Sequence, residues 1–259
     1  MDGDAWRPDL TSPVGFVESD SEGDLEPSDL ESDVESVGTS VISGPPADVL
    51  EADPAIIVAV GDSAISAVAA TDLDVPVVPV GDVPGLSAVD PDHVSNALES
   101  AFSGDGRVRA HPVLVVETPG GGRERAVFDV TLVTAEPAQI SEYGLSRRDE
   151  SIAQFRADGV VAATPAGSHG YAEAIDGPLV SAAVEAIVVV PIAPFVTRTC
   201  RWVLPNDGVV LSVERDEDPV VLCVDDRTVE RIPAGEQVSI AADGALSTVV
   251  VPESADGRD

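Results

Sequence analysis

The run Asp158-Gly159-Val160-Val161-Ala162-Ala163-Thr164-Pro165-Ala166-Gly167-Ser168-His169-Gly170-Tyr171 joins an apolar stretch to a loop of Thr, Pro, Gly and Ser, and Asp176-Gly177-Pro178 follows it. A strand that ends in such a loop and then enters a helix places backbone N–H groups and hydroxyls where an anion or a ribose could dock. A second candidate lies upstream, where the apolar residues 55–60 break at Gly61-Asp62-Ser63. On the turn alone, Asp62 reads as a cap of the helix that follows it, worth about 1 kcal/mol. Cys200 and Cys223 have no Cys-x-x-Cys spacing, and His93, His111 and His169 do not cluster with them. No metal-ligating residues are therefore assigned, and the cysteines read as reduced thiols.

These residues need elements to hold them. Residues 55–60 form a continuous apolar run of the kind found in parallel strands covered on both faces, and residues 64–70 read as a helix. Residues 75–80 give another apolar strand, and residues 91–102 a helix with Asp90 as its N-cap. Strand, helix, strand, helix predicts a small α/β domain with a Rossmann-like parallel sheet, over residues 1–104. Within it, residues 13–17 read as a first strand, residues 25–36 as a short acidic helix and residues 36–42 as a second strand. Beyond Gly106 the texture changes to short strand-like runs at 113–117, 126–134, 160–163, 187–190, 209–214, 220–224 and 238–240, broken by Gly, Pro and Asp. Residues 105–259 therefore read as a larger β-rich domain, a β-sandwich, with residues 247–251 as a strand returning to the first domain.

Composition narrows the function further. The chain has 259 residues with 47 Asp and Glu against 14 bases, a formal charge of −33. All 14 bases are Arg, and the absence of Lys excludes a lysine-dependent P-loop and Schiff-base chemistry. No basic footprint for nucleic acid exists. Residues 179–196 are apolar but interrupted by Glu185, Pro191 and Pro194, so no membrane span is expected. The start Met-Asp-Gly-Asp-Ala-Trp is unlike a secretory signal, and the chain reads as cytoplasmic. Like charges about 10 Å apart repel by ~0.4 kcal/mol in water, and molar salt shortens the screening length to about 3 Å. The charge excess predicts a protein of a salt-concentrating, halophilic cell.

The 158–178 order resembles the Asp-Gly…Ser-Thr-Pro-Thr-Gly-Ser-Thr-Ala-Tyr…Gly-Gly-Pro motif of the ATP-dependent NAD kinase family. Pro191-Ile192-Ala193-Pro194-Phe195 and Arg201-Trp202-Val203-Leu204-Pro205 resemble its Pro-Ile-Cys-Pro-His and Arg-Pro-Ile-Val-Leu-Pro elements. Val224-Asp225-Asp226 and Gly235-Glu236-Gln237-Val238-Ser239-Ile240 resemble Val-Asp-Gly and Gly-Asp-x-Val-x-Ile. Upstream, Val60-Gly61-Asp62-Ser63-Ala64 is similar to Gly-Gly-Asp-Gly-Thr, and Phe128-Asp129 falls where an Asn-acid pair is usual. The likeness covers about residues 13–251 and is strongest over 155–205.

The resemblance implies transfer of a phosphate from ATP, with Mg²⁺ or another divalent metal, to the adenosine ribose 2′-hydroxyl of NAD, giving NADP. It implies that Asp62 takes the hydroxyl proton, with its carboxylate about 2.6–3.2 Å from that oxygen in the bound complex. Gly61, Asp62 and Ser63 would form the nucleotide turn. Asp129, Arg156, Asp158, Thr164, Gly167, Ser168, His169, Gly170 and Tyr171 would bind NAD, with Tyr171 stacking or offering its hydroxyl. Family members are commonly dimers or tetramers, so a homo-oligomer is implied.

Read without the family, Arg156 is a surface ion pair, Asp158 a turn former and His169 an exposed polar side chain. Two glycines and a threonine of the signature turn are absent, Phe128 stands in place of an amide, and Gly81-Asp82-Val83 replaces Asn-x-Gly. Each hydrogen bond lost with them is worth ~0.5–1.5 kcal/mol. Two functional readings follow: a salt-adapted NAD kinase, or a non-catalytic NAD(P)-binding or oligomer-forming regulatory paralogue. A lipid or sphingoid kinase-like activity fits the 164–171 loop less well.

Overall fold

The structure, a computed structural model, describes residues 4–6, 8–9, 11–18, 28–29, 34–35, 38–71, 74–136, 139–196, 200–215 and 219–254. The chain divides into two compact units, residues 1–111 with 245–258, and residues 112–244. The acidic helix expected over 25–36 falls mostly outside the described residues.

Unit 1 runs through β1 (Asp4–Ala5), β2 (Val14–Glu18), β3 (Val41–Ser43), α1 (Pro46–Glu51), β4 (Ile56–Val60), α2 (Gly61–Ala69), β5 (Val77–Val80), α3 (Val94–Ser103) and the start of β6 (Arg107–Glu117). β3, β2, β4 and β5 lie side by side and all parallel. All five residues of β4 are buried, as a strand covered on both faces requires. The end of a long last strand, β17 (Gln237–Val250), joins β5 in parallel at Thr248 and Val77. The core gathers Phe16, Ile56, Val58, Val78, Leu98 and Val249. Asp90 accepts the Asp92 N–H at 2.9 Å, capping a short 3-10 turn, Pro91–His93, that leads into α3.

His111 on β6 is 1% exposed, and burial together with the nearby Arg109 charge holds its imidazole down at about 4. Its Nε2 lies 3.1 Å from Thr248 Oγ1, which itself donates to the Arg109 carbonyl at 3.4 Å. That chain makes Nε2 the donor and leaves Nδ1 a bare, unpartnered acceptor inside the core. A folded-state pKa below the unfolded value of about 6.5 means that the unfolded chain binds the proton first. Stability from this site is therefore complete above about pH 6.5 and drains away as pH falls towards 4. At 1.36 kcal/mol per pH unit the loss is roughly 3 kcal/mol. Urea midpoints at pH 7 and 4.5, compared between the native chain and His111→Gln, are expected to show that loss only in the native chain.

Unit 2 continues through the rest of β6, β7 (Arg123–Ala126), β8 (Asp129–Thr134), β9 (Ser141–Arg147), β10 (Glu150–Ala157), β11 (Gly159–Ala163), α4 (Tyr171–Ala174), β12 (Ala186–Ile192), β13 (Trp202–Pro205), β14 (Val209–Arg215), β15 (Val220–Val224), β16 (Arg227–Ile232) and the first part of β17. One antiparallel sheet has the order β13-β12-β11-β8-β15-β16. Facing it, β10, β9, β14 and β17 pair antiparallel. Leu132, Val160 and Leu222 of the first set pack with Tyr143, Leu211 and Ile240 of the second, which makes a sandwich. Phe155 stacks on Trp202, with ring centroids 5.6 Å apart. A parallel α/β unit and a β-sandwich are the architecture that the sequence predicts. No helix among the described residues is long and apolar enough to cross a membrane.

Candidate active site

In unit 1, Gly61 follows β4 at once and takes φ 80°, a left-handed conformation that glycine adopts without strain. That turn starts α2 and leaves Asp62 exposed at the carboxyl end of an inner parallel strand, where ligands of α/β sheets bind. The capping position of α2 is Val60, with no side-chain cap, so Asp62 is not the N-cap that its turn suggests. One Asp62 oxygen, Oδ1, accepts the Ser63 N–H at 3.0 Å. Gly81, φ 105°, brings the turn after β5 alongside the Gly61 backbone.

In unit 2, the 164–171 loop closes on itself. Thr164 Oγ1 donates to the Val127 carbonyl at 2.7 Å and accepts the Gly167 N–H at 3.0 Å. Ser168 Oγ donates to the Pro165 carbonyl at 2.7 Å and accepts the Val180 N–H at 3.0 Å. The N–H groups of Ser168, His169 and Gly170 go to the carbonyls of Thr164, Ala166 and Gly167. The expectation of free N–H groups and hydroxyls in this loop is corrected at these residues: the buried stretch 164–168 satisfies its polar groups internally, and the Ser168, His169 and Gly170 amides are likewise spent inside the loop. Thr164, Gly167 and Ser168 shape the loop, while His169 is half-buried and Gly170 and Tyr171 are exposed.

The loop sets Tyr171 beside two carboxylates. Burial first, then the charges of Asp129 and Asp158, raise its phenol above the ordinary value, though the side chain is 47% exposed. Asp129 opens β8 opposite Ala163, and Asp158 precedes the far end of β11. At about 3.3 Å per residue their backbones lie roughly 16 Å apart, the span of an elongated ligand. Burial above all, and then the Asp225 charge, lift Asp129 to about 7 against the hydrogen bond from Thr131, at 3.0 Å. Burial thus favours the protonated Asp129 carboxyl, which can donate as well as accept at a ligand edge. Asp158 is held by its backbone, its carbonyl accepting the Thr134 N–H at 3.0 Å and the Tyr143 hydroxyl at 3.2 Å. Arg156, exposed on β10, places its guanidinium 5.7 Å from the Phe195 ring centre. The structure thus draws Asp129, Asp158, Thr164, Gly167, Ser168 and Tyr171 into one region of unit 2, and carries Gly61, Asp62 and Ser63 on unit 1. Among the described residues, no three His, Cys, Asp or Glu side chains group to hold a metal ion.

Residues 128–250 match the family described as the ATP-NAD kinase C-terminal domain. An NAD kinase of Methanothermobacter thermautotrophicus is 32% identical over 174 residues, 64% of this chain and 60% of that protein. An NAD kinase of Methanosarcina barkeri is 33% identical over 159 residues, 60% of this chain and 56% of the relative. The match thus spans less than two thirds of the length of these relatives. Among solved structures, an NAD kinase from Archaeoglobus fulgidus in complex with ATP superposes with a TM-score of 0.78 at 18% identity, covering 93% of this chain and 94% of that one. A yeast NADH kinase complexed with NADH gives 0.77, also at 18% identity, over 93% of this chain and 84% of that one. Both structures share the fold.

Proposed function

We propose that the chain is a member of the ATP-NAD kinase family, on the match of residues 128–250 and its likeness to archaeal NAD kinases, and that it phosphorylates NAD to NADP with ATP. The observation that carries this reading is the placement of Asp129 and Asp158 at opposite ends of β11 with Tyr171 within the electrostatic reach of both, an elongated site suited to a dinucleotide. Tyr171 offers an exposed ring face, and Asp129 and Asp158 offer carboxyl groups to polar ligand edges. Asp62 takes the proton of the 2′-hydroxyl; that oxygen attacks the γ-phosphorus, the bond to the β-phosphate oxygen breaks, and ADP leaves. Mg²⁺ is bound mainly by substrate phosphates in such reactions. The purified protein in molar KCl with NAD and MgATP is expected to form NADP. A folded sample without turnover, tested across ATP and polyphosphate donors, would overturn the reading.

The same reading includes adaptation to concentrated salt and a cytoplasmic homo-oligomer. The support for salt adaptation is the charge of −33, while the homo-oligomer and its compartment rest on the family likeness alone. Salt weakens the surface pairs of Arg123 with Asp243, and of Arg147 and Arg148 with Asp207, but each such pair is worth at most about 1 kcal/mol. Relief of general repulsion should win. The thermal midpoint is expected to rise by about 10 °C between 0.1 and 2 M KCl, a gain of some 3–5 kcal/mol at this chain length. A flat or falling midpoint in differential scanning calorimetry would argue against salt adaptation.

A further inference from the structure

One half-buried carboxylate gathers backbone amides beside the site. Asp225, in the two-residue turn between β15 and β16, takes φ 50°. Its carboxylate accepts three successive amides, from Val127 at 3.2 Å, Phe128 at 2.9 Å and Asp129 at 3.0 Å. Its own N–H donates to the Asp129 carbonyl at 2.8 Å. Three consecutive N–H groups aimed at one anion form a concave nest. From the other side, Thr164 donates its hydroxyl to the Val127 carbonyl at 2.7 Å and its N–H to the Phe128 carbonyl at 2.8 Å. Residues 127–129 are thus gripped by amides and carbonyls together. The Asp129 side chain stands free of this grip, with Oδ1 accepting the Thr131 hydroxyl.

We infer that Asp225 is a positioning residue: by gathering the Val127, Phe128 and Asp129 amides on one carboxylate, it fixes where Asp129 presents its carboxyl group to the dinucleotide. The inference rests on the reading of Asp129, Asp158 and Tyr171 as the NAD-binding group. A neutral side chain at 225 would bind fewer amides and remove a negative charge next to Asp129. The titratable groups facing Asp129 are Asp225 from the β15–β16 turn and Tyr171 from the start of α4, whose phenol also feels Asp158. Loss of the Asp225 charge therefore moves Asp129 towards easier ionisation as well as loosening its backbone.

The test uses the full chain and a double-mutant cycle of Asp225→Asn and Asp129→Asn, which isolates coupling between neighbours. NAD and ATP affinities are measured by titration calorimetry from pH 6 to 8.5, beside thermal midpoints, and the Asp129 carboxyl is titrated by carbon NMR without ligand. Asp225→Asn is expected to weaken NAD about tenfold, the scale of one charge-assisted bond, and to leave ATP within about twofold. The double variant is expected to bind NAD no worse than Asp129→Asn, and the Asp129 midpoint to fall in Asp225→Asn. Additive losses, or a lowered thermal midpoint with NAD affinity intact, would make Asp225 merely structural and overturn the inference. If the native chain binds no NAD, the kinase reading falls by itself. The ligand-free titration still decides the coupling, since an unmoved Asp129 midpoint defeats it. Asp225→Glu, which keeps the charge but moves the carboxylate away from the three amides, serves the affinity and thermal measurements if Asp225→Asn does not fold, with NAD again expected to weaken and an unchanged NAD affinity overturning the inference.

Discussion

Replacing Asp62 by asparagine is expected to lower kcat for NADP formation by about 10²–10⁴-fold, the usual contribution of a positioned general base, with NAD and ATP affinities changed only a few-fold. The prediction separates two roles that the bare turn leaves mixed. Asparagine keeps an oxygen for the Ser63 N–H, so the one local bond of Asp62 survives. It cannot accept the hydroxyl proton. Asp62 is exposed and lies outside the core, and α2 draws no cap from it, so neither Asp62→Asn nor Asp62→Ala has a route to large destabilisation. A residue that served only the helix would show the reverse pattern, about 1 kcal/mol of stability and no change in kcat. Near-native turnover in Asp62→Asn, followed as NADP by a coupled dehydrogenase assay, would remove the base from the mechanism.

Gly167→Ala is expected to be the most damaging single-methyl change in unit 2. A Cβ there would stand 2.0 Å from the Phe128 carbonyl oxygen and 2.5 Å from its carbon. Both atoms are backbone, so no flexible side chain can yield, and the Phe128 carbonyl is already pinned by the Thr164 N–H. Overpacking costs typically 1–3 kcal/mol, and a clash with pinned backbone belongs at about 3 kcal/mol or above. Relief requires the 164–171 loop to part from residues 127–129, which would also weaken NAD more than tenfold. Gly170→Ala is the control for stability, since its Cβ would meet nothing nearer than the Gly167 carbonyl oxygen at 3.6 Å. Guanidinium midpoints of the two variants should diverge clearly. Equal midpoints would mean that the loop can shift without penalty.

Where a segment is uniform along its length, its structure is readable before folding. Residues 55–60 are apolar throughout, and β4 buries all five of its residues. The 158–171 run likewise announces a strand and a loop, which β11 and the buried turn become. By contrast β10, Glu150-Ser151-Ile152-Ala153-Gln154-Phe155-Arg156-Ala157, and β16, Arg227-Thr228-Val229-Glu230-Arg231-Ile232, mix charge and apolar groups too evenly to stand out, and β9 and β13 were equally hidden. Their strand state comes from cross-strand partners such as Tyr143 opposite Phe155. The site divides in the same way. The resemblance to the NAD kinase motifs, rather than residue type alone, pointed to Asp129, Asp158 and Tyr171. That Thr164 and Ser168 spend their hydroxyls inward depends on Val127 and Val180, 37 and 12 residues away. Asp225 is more remote still, 96 residues from Asp129, and nothing local marks its three amides. Candidate residues were legible by motif, and the contacts that position them were not.

The last strand has a consequence for the order in which a newly made chain can fold. Unit 1 includes residues 245–258, and Val249 and Val251 belong to its core, while residues 112–244 of unit 2 are continuous. During synthesis at about 5–20 residues per second, unit 2 leaves the ribosome whole roughly 8–33 seconds after β5 has emerged with its β17 side open. Val77 must wait for Thr248. The nascent protein therefore carries an unfinished parallel sheet until residues 245–251 arrive, and the charge of the strongly acidic first third of the chain opposes pairing of that open edge with another copy.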